Sequence, residues 1–109
     1  MKKYKVQYLP EFFDQLERIE DFLRTNGASS AIARRFTSSI QAYCESMNTF
    51  PYRGRPRNDL SPGLLTTNYR GSTNLAYQVR EDESEVWFIG VYYAGEDFES
   101  ILTNSPDDH

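Results

Sequence analysis

The stretch Glu85 to Tyr93 constrains the fold more than any other part of this chain. Its core, Val86-Trp87-Phe88-Ile89-Gly90-Val91-Tyr92-Tyr93, is almost unbroken in apolar and aromatic character. A run of this length, bounded by the polar turn Glu81-Asp82-Glu83-Ser84, reads as a β-strand covered on both faces. Upstream, Thr73 to Arg80 alternates, with Leu75, Tyr77 and Val79 on one side. Leu64 to Tyr69 is a further strand, joined to it by the turn Arg70-Gly71-Ser72. These three strands follow each other with short connections, as in an antiparallel meander.

The first half of the chain supplies cover for such a sheet. Tyr4, Val6 and Tyr8 alternate and predict a short strand. Pro10 stands at the first position of a helix, where its missing N–H is harmless. Phe12, Leu16, Ile19 and Leu23 then recur at helical spacing, with Phe13 and Phe22 widening the stripe. Asn26-Gly27 ends that helix, and Ser29 or Ser30 caps the next. Ile32, Phe36, Ile40, Tyr43, Cys44 and Met47 form the second stripe, which Pro51 terminates. The turn between the helices is short, so they pack as an antiparallel hairpin. The expected fold class is α+β: an N-terminal strand and a helical hairpin packed on one face of a curved antiparallel sheet completed by the three-stranded meander. Residues 1–109 make one domain. Phe98, Ile101 and Leu102 read as a last short helical turn, and residues 103–109 as a disordered tail.

Charge is distributed unevenly. Residues 51–80 hold five basic side chains (Arg53, Arg55, Arg57, Arg70 and Arg80) against the single acid Asp59, whereas residues 81–109 hold nine acids and no Lys or Arg. With a net charge of −4 the chain is poorly equipped to neutralise a run of phosphates, so direct nucleic-acid binding is not expected. Cys44 is the only cysteine and His109 the only histidine. Neither a disulfide, a metal site nor a Cys/His pair follows from them, and no cofactor motif is present. No apolar run reaches the roughly 18 residues of a membrane span. The basic start is not followed by a signal segment, and the expected location is the cytoplasm.

Between the helices and the meander the chain reads Phe50-Pro51-x-x-Gly54-Arg55-x-Arg57, then Leu60-x-x-Gly63; Leu75-Ala-Tyr-Gln-Val79 and Val91-Tyr-Tyr-Ala-Gly-Glu-Asp97 follow. In this order, over residues 4–102, the sequence resembles the RelE/ParE superfamily of small bacterial toxins, its ParE-like branch more than RelE. The resemblance implies the toxin of a type II toxin–antitoxin pair, of the plasmid-stabilising kind, held inactive by a cognate antitoxin. RelE-like members are ribosome-dependent mRNA endonucleases that place basic residues on the central strands and after the last one. Here Asn74, Gly95 and Glu96 occupy those positions, and Glu96 would repel a phosphate. ParE-like members inhibit DNA gyrase by binding. Their Gly-Leu-Arg is Gly63-Leu64-Leu65 here, and their terminal His-Gly-x-Arg-Asp is Tyr93-Ala94-Gly95-Glu96-Asp97.

The resemblance therefore implies an inhibitor of DNA gyrase or another replication protein, rather than an enzyme. Two alternatives stay open: a RelE-like endonuclease with a rearranged site, and a toxin-derived binding module that has lost toxicity. No catalytic residue is assigned. Arg53, Arg55, Arg57 and Tyr93 are the target-binding candidates, Tyr93 as acid/base or stacking platform and Tyr77 as a second stacking residue. The aromatic surplus exceeds what one side of a hairpin needs, which implies a partner. Phe12, Phe13, Phe22, Tyr69, Trp87 and Phe98 are the antitoxin-binding candidates.

Overall fold

A computed structural model of the chain describes residues 2–93. The elements are β1 (Lys5–Tyr8), α1 (Pro10–Thr25), α2 (Ser30–Glu45), β2 (Arg55–Pro56), β3 (Leu65–Tyr69), β4 (Thr73–Arg80) and β5 (Glu85–Tyr93). Single 3₁₀ turns occupy Ser46–Asn48, Pro51–Arg53 and Glu81–Glu83. The sheet order is β1-β5-β4-β3-β2. Two helices lie on one five-stranded sheet, the α+β arrangement that the pattern predicts.

The sheet is mixed rather than wholly antiparallel. Strands β2 to β5 pair antiparallel, but β1 runs parallel to β5, Lys5 opposite Glu85 and Tyr8 opposite Phe88. The helical hairpin and strands β2 to β4 all lie between these two strands in the chain, more than the long connection that a parallel neighbour requires. This pairing explains the apolar run in β5, which is an interior strand between β1 and β4. The 51–63 segment, between the helices and the meander, contributes the two-residue edge strand β2. At Ala76/Tyr77 the β4–β5 register shifts by one residue. Beyond the end of β1, the Val91 amide donates to the side chain of Gln15 on α1 at 2.9 Å.

Helix ends follow their local signals. Pro10 opens α1, and Gly27 at φ 102° closes it. The Gly27 and Ala28 amides turn back to the Arg24 and Leu23 carbonyls, a double C-terminal cap that needs the left-handed backbone glycine provides. The Ser29 hydroxyl accepts from the Ile32 amide at 3.1 Å and caps α2.

Packing divides the sheet into two faces. Phe12, Leu16 and Ile19 from α1, with Ile40 and Cys44 from α2, bury against Leu65, Leu75, Tyr77, Val86, Phe88 and Val91. The opposite face carries a smaller cluster of Leu64, Ala76 and Tyr92, flanked by Leu60 and Ile89. The β5 strand is thus covered on both sides, as its sequence requires. The face of α2 is set by Ala33, Thr37, Ile40 and Cys44, so Ile32, expected in the stripe, lies outward at 57% exposure. Cys44 is fully buried, and burial raises its thiol pKa well above the ordinary value, leaving an inert thiol. Tyr4 donates to Glu81 and the Lys2 ammonium pairs with the same carboxylate at 3.3 Å, tying the chain start to the β4–β5 turn.

Adjacent phenylalanines on α1 separate core from surface. Phe12 is fully buried and Phe13 is 45% exposed. Phe12→Ala should lower unfolding free energy by about 3–5 kcal/mol, and Phe13→Ala by about 1 kcal/mol or less. Urea denaturation of the two variants measures the difference, and equal losses would contradict this packing.

Candidate functional site

Residues 50–64 pass from the end of α2 over the open side of the sheet, and three side chains fix their course. The Arg53 guanidinium donates to the Phe50, Ser46 and Thr49 carbonyls at 3.1, 2.5 and 3.1 Å. It thereby satisfies carbonyls left over where the helix ends. The Tyr77 hydroxyl, reaching from the buried side of β4, donates to the Pro51 carbonyl at 2.8 Å and accepts from the Gly54 amide at 2.9 Å. Tyr77 is fully buried, and burial is the main cause of its pKa rising to about 12, so the hydroxyl keeps its proton at neutral pH. Gly54 is required for this approach. A Cβ there would lie 2.4 Å from the Tyr77 oxygen and 2.9 Å from the Thr66 carbonyl oxygen. Arg57 forks onto Asp59 at 3.0 and 2.8 Å, and that hydrogen bonding holds the Asp59 pKa below the ordinary carboxylate value.

The loop and the sheet edge enclose a cleft of about 350 Å³. Arg53, Gly54, Arg55 and Arg57 line it from the loop, and Thr66, Thr67, Asn68 and Asn74 from β3 and β4. The three candidate arginines therefore meet around one cleft, but in different roles. Arg53 is engaged with backbone carbonyls and Arg57 with Asp59. Arg55, on the edge strand β2, is exposed, and its side chain has no hydrogen bond or ion pair among the described residues.

Asn68 and Asn74 complete the cleft. They face each other across β3 and β4, and the Asn68 amide nitrogen donates to the Asn74 oxygen at 3.2 Å. Neither was a candidate for binding, although the alternation of Leu75 and Tyr77 already places Asn74 on the opposite face of β4.

Tyr93 does not join the arginines. It turns to the helical side, its ring 5.8 Å from Phe22 and 5.5 Å from Phe36, both edge-on. Its neighbour Tyr92 is on the cleft's face of the sheet instead, opposite Asn74 in the register and buried with Leu64 and Ala76. The one-residue register shift makes this side assignment hard to read from alternation. Tyr77 is a core residue stacked on Phe88 at 5.1 Å, not a platform for a base.

The candidate partner-facing aromatics separate by burial. Phe12 and Tyr69 belong to the core, because α1 turns Phe12 onto Phe88 and β3 turns Tyr69 onto Tyr43. Phe13 and Phe22 are about half exposed, on opposite flanks of α1. Trp87 is half-buried on the outer face, with the Arg80 guanidinium over its ring at 4.8 Å and its indole N–H donating to Glu85 at 3.0 Å. Phe98 lies outside the described residues, as do Gly95, Glu96, Asp97 and the expected terminal helical turn. Phe50 and Tyr52, either side of Pro51, add exposed aromatic surface next to the arginine loop.

The family model for the ParE toxin of the type II toxin–antitoxin system parDE matches residues 6–98. The chain belongs to the ParE toxin family. Solved structures agree on the fold of this toxin. The chromosomal ParDE system from P. aeruginosa superposes with a TM-score of 0.70 at 15% identity, covering 86% of this chain and 99% of that one. The RelBE2 toxin–antitoxin complex from Mycobacterium tuberculosis gives 0.66 at 18% identity, covering 88% and 97%. An arginine-substituted E. coli RelE toxin in the free state gives 0.53 at 16% identity, covering 93% and 94%. No curated protein matches in sequence. At these identities the structural likeness establishes the fold alone.

The Tyr77 hydroxyl is the tie between the toxin's core and its arginine loop. Tyr77→Phe removes both hydrogen bonds and leaves the Gly54 amide and Pro51 carbonyl without that partner, for a loss of about 1–3 kcal/mol. Amide hydrogen exchange should then accelerate at Gly54 more than in β4 itself. Unchanged exchange at Gly54 would show that the loop is held by other contacts.

Proposed function

We propose that this ParE-family toxin arrests growth by binding DNA gyrase or another replication protein, and that a cognate antitoxin neutralises it in the cytoplasm. The observation that carries this reading is the composition of the cleft face. Where phosphate chemistry calls for several cations, β3 and β4 present the neutral amides Asn68 and Asn74. Two of the three loop arginines are held by Arg53's carbonyl contacts and by the Arg57–Asp59 pair. Such a surface suits recognition more than transition-state charge stabilisation, which depends on donors aimed at developing charge. The Pseudomonas ParDE system and the mycobacterial RelBE2 complex pair toxin with antitoxin, and this supports an antitoxin partner here. Phe13 and Phe22, half exposed on the two flanks of α1, offer apolar anchors for an amphipathic segment. No helix among the described residues is long and apolar enough to cross a membrane.

A RelE-like, ribosome-dependent endonuclease is the second reading. One observation favours it: the 53–57 arginines do lie over the sheet edge beside Asn74, the position that resemblance aligns with a ribonuclease arginine.

Induced expression in bacteria, with DNA and protein synthesis pulse-labelled separately, distinguishes the readings. DNA synthesis should stop first, and co-expression of a cognate antitoxin should restore it. Earlier arrest of protein synthesis would favour the endonuclease, and normal growth would mark a binding module without toxicity.

A further inference from the structure

The cleft's hydrogen-bond polarity is fixed by the fold. The Gly71 amide donates to the Asn68 side-chain oxygen at 2.7 Å, and a backbone N–H accepts nothing in return. The Asn68 amide nitrogen must therefore be the group that faces Asn74, and it donates to the Asn74 oxygen. Asn74 is left presenting its NH₂ group. Arg55 adds a guanidinium, again donor only. The exposed recognition groups of the cleft thus favour an acceptor.

We propose that the cleft binds a carboxylate side chain of an acidic segment on a partner protein, with Arg55 and the Asn74 amide as its donors. This rests on the reading of the cleft as the toxin's target-binding site. A planar carboxylate suits a guanidinium fork supplemented by one amide. Among the described residues the cleft supplies one cation whose side chain is uncommitted, Arg55, which matches one carboxylate charge. A nucleic-acid strand would have to set successive phosphates against neutral Asn68 and acidic Asp59, on a chain of net charge −4. The mode of binding is restricted as well. The β2 edge contains Pro56, which has no N–H for a strand-addition ladder, so side chains must carry the recognition.

The test uses the intact toxin and two fluorescein-labelled probes, an octaglutamate peptide and a single-stranded RNA octamer, followed by fluorescence anisotropy. The peptide should bind more tightly than the RNA. Arg55→Glu and the isosteric Asn74→Asp should each weaken peptide binding on the order of tenfold or more. Arg34→Ala, on the exposed side of α2, should leave it unchanged, and circular dichroism should show all three variants folded. No peptide binding, tighter Arg55-dependent binding of RNA, or variants that bind like the parent would each overturn the proposal. The gyrase reading fails separately, if the parent chain leaves DNA synthesis untouched, whatever the peptide result.

Discussion

The Tyr77 hydroxyl joins the two halves of this molecule that have different tasks. Its ring lies in the core between the helices and the sheet, stacked on Phe88. Its oxygen emerges at the sheet edge and holds the Pro51 carbonyl and the Gly54 amide. A loop that crosses a sheet carries backbone groups which must be paired or solvated. Here a single buried phenol pairs two of them, and Gly54 is the residue that lets the backbone approach closely enough. The loop's position relative to β3 and β4, and so the cleft itself, follows from core packing.

That placement sorts three similar side chains into three roles. Arg53 gathers carbonyls at the end of α2 and its 3₁₀ extension, Arg57 holds Asp59, and Arg55 is left facing solvent on the edge strand. A cluster of like charges is therefore less basic towards a ligand than its sequence suggests, since hydrogen bonds and ion pairs inside the fold already engage two of them. The Asn68–Asn74 pair shows the reverse: neutral residues gain directional character because the Gly71 amide fixes one of them. Recognition by a few oriented donors is compatible with a toxin that acts by binding.

The fold was legible in the sequence because its signals are local and agree with one another. Pro10, Asn26-Gly27 and Ser29 bound the helices, alternation marks β4, and the doubly covered run marks β5. The parallel pairing of β1 was not legible, since nothing local encodes which neighbour a four-residue strand selects. The candidate site was legible as a cluster of arginines but not as a set of roles. The partners of Arg53 are backbone carbonyls, which no sequence pattern marks, and the partners of Tyr77 lie 26 and 23 residues away. The separation of Tyr93 from the arginines has a definite structural reason. With one residue inserted in the β5 register, alternation no longer tells which of Tyr92 and Tyr93 faces out. Phe12 and Phe13 are alike in type, and helical spacing separates them, since Phe12 shares the stripe of Leu16 and Ile19 and Phe13 lies at its margin.

As proposed, the Arg55 side of this cleft meets the toxin's target in the cell. The most direct measurement places a photo-crosslinking amino acid at position 55 of the expressed toxin, irradiates arrested cells and identifies the adduct. The expected adduct is a cross-link to a gyrase subunit or another replication protein, at a segment rich in Asp and Glu. A cross-link to ribosomal RNA or ribosomal protein would contradict it.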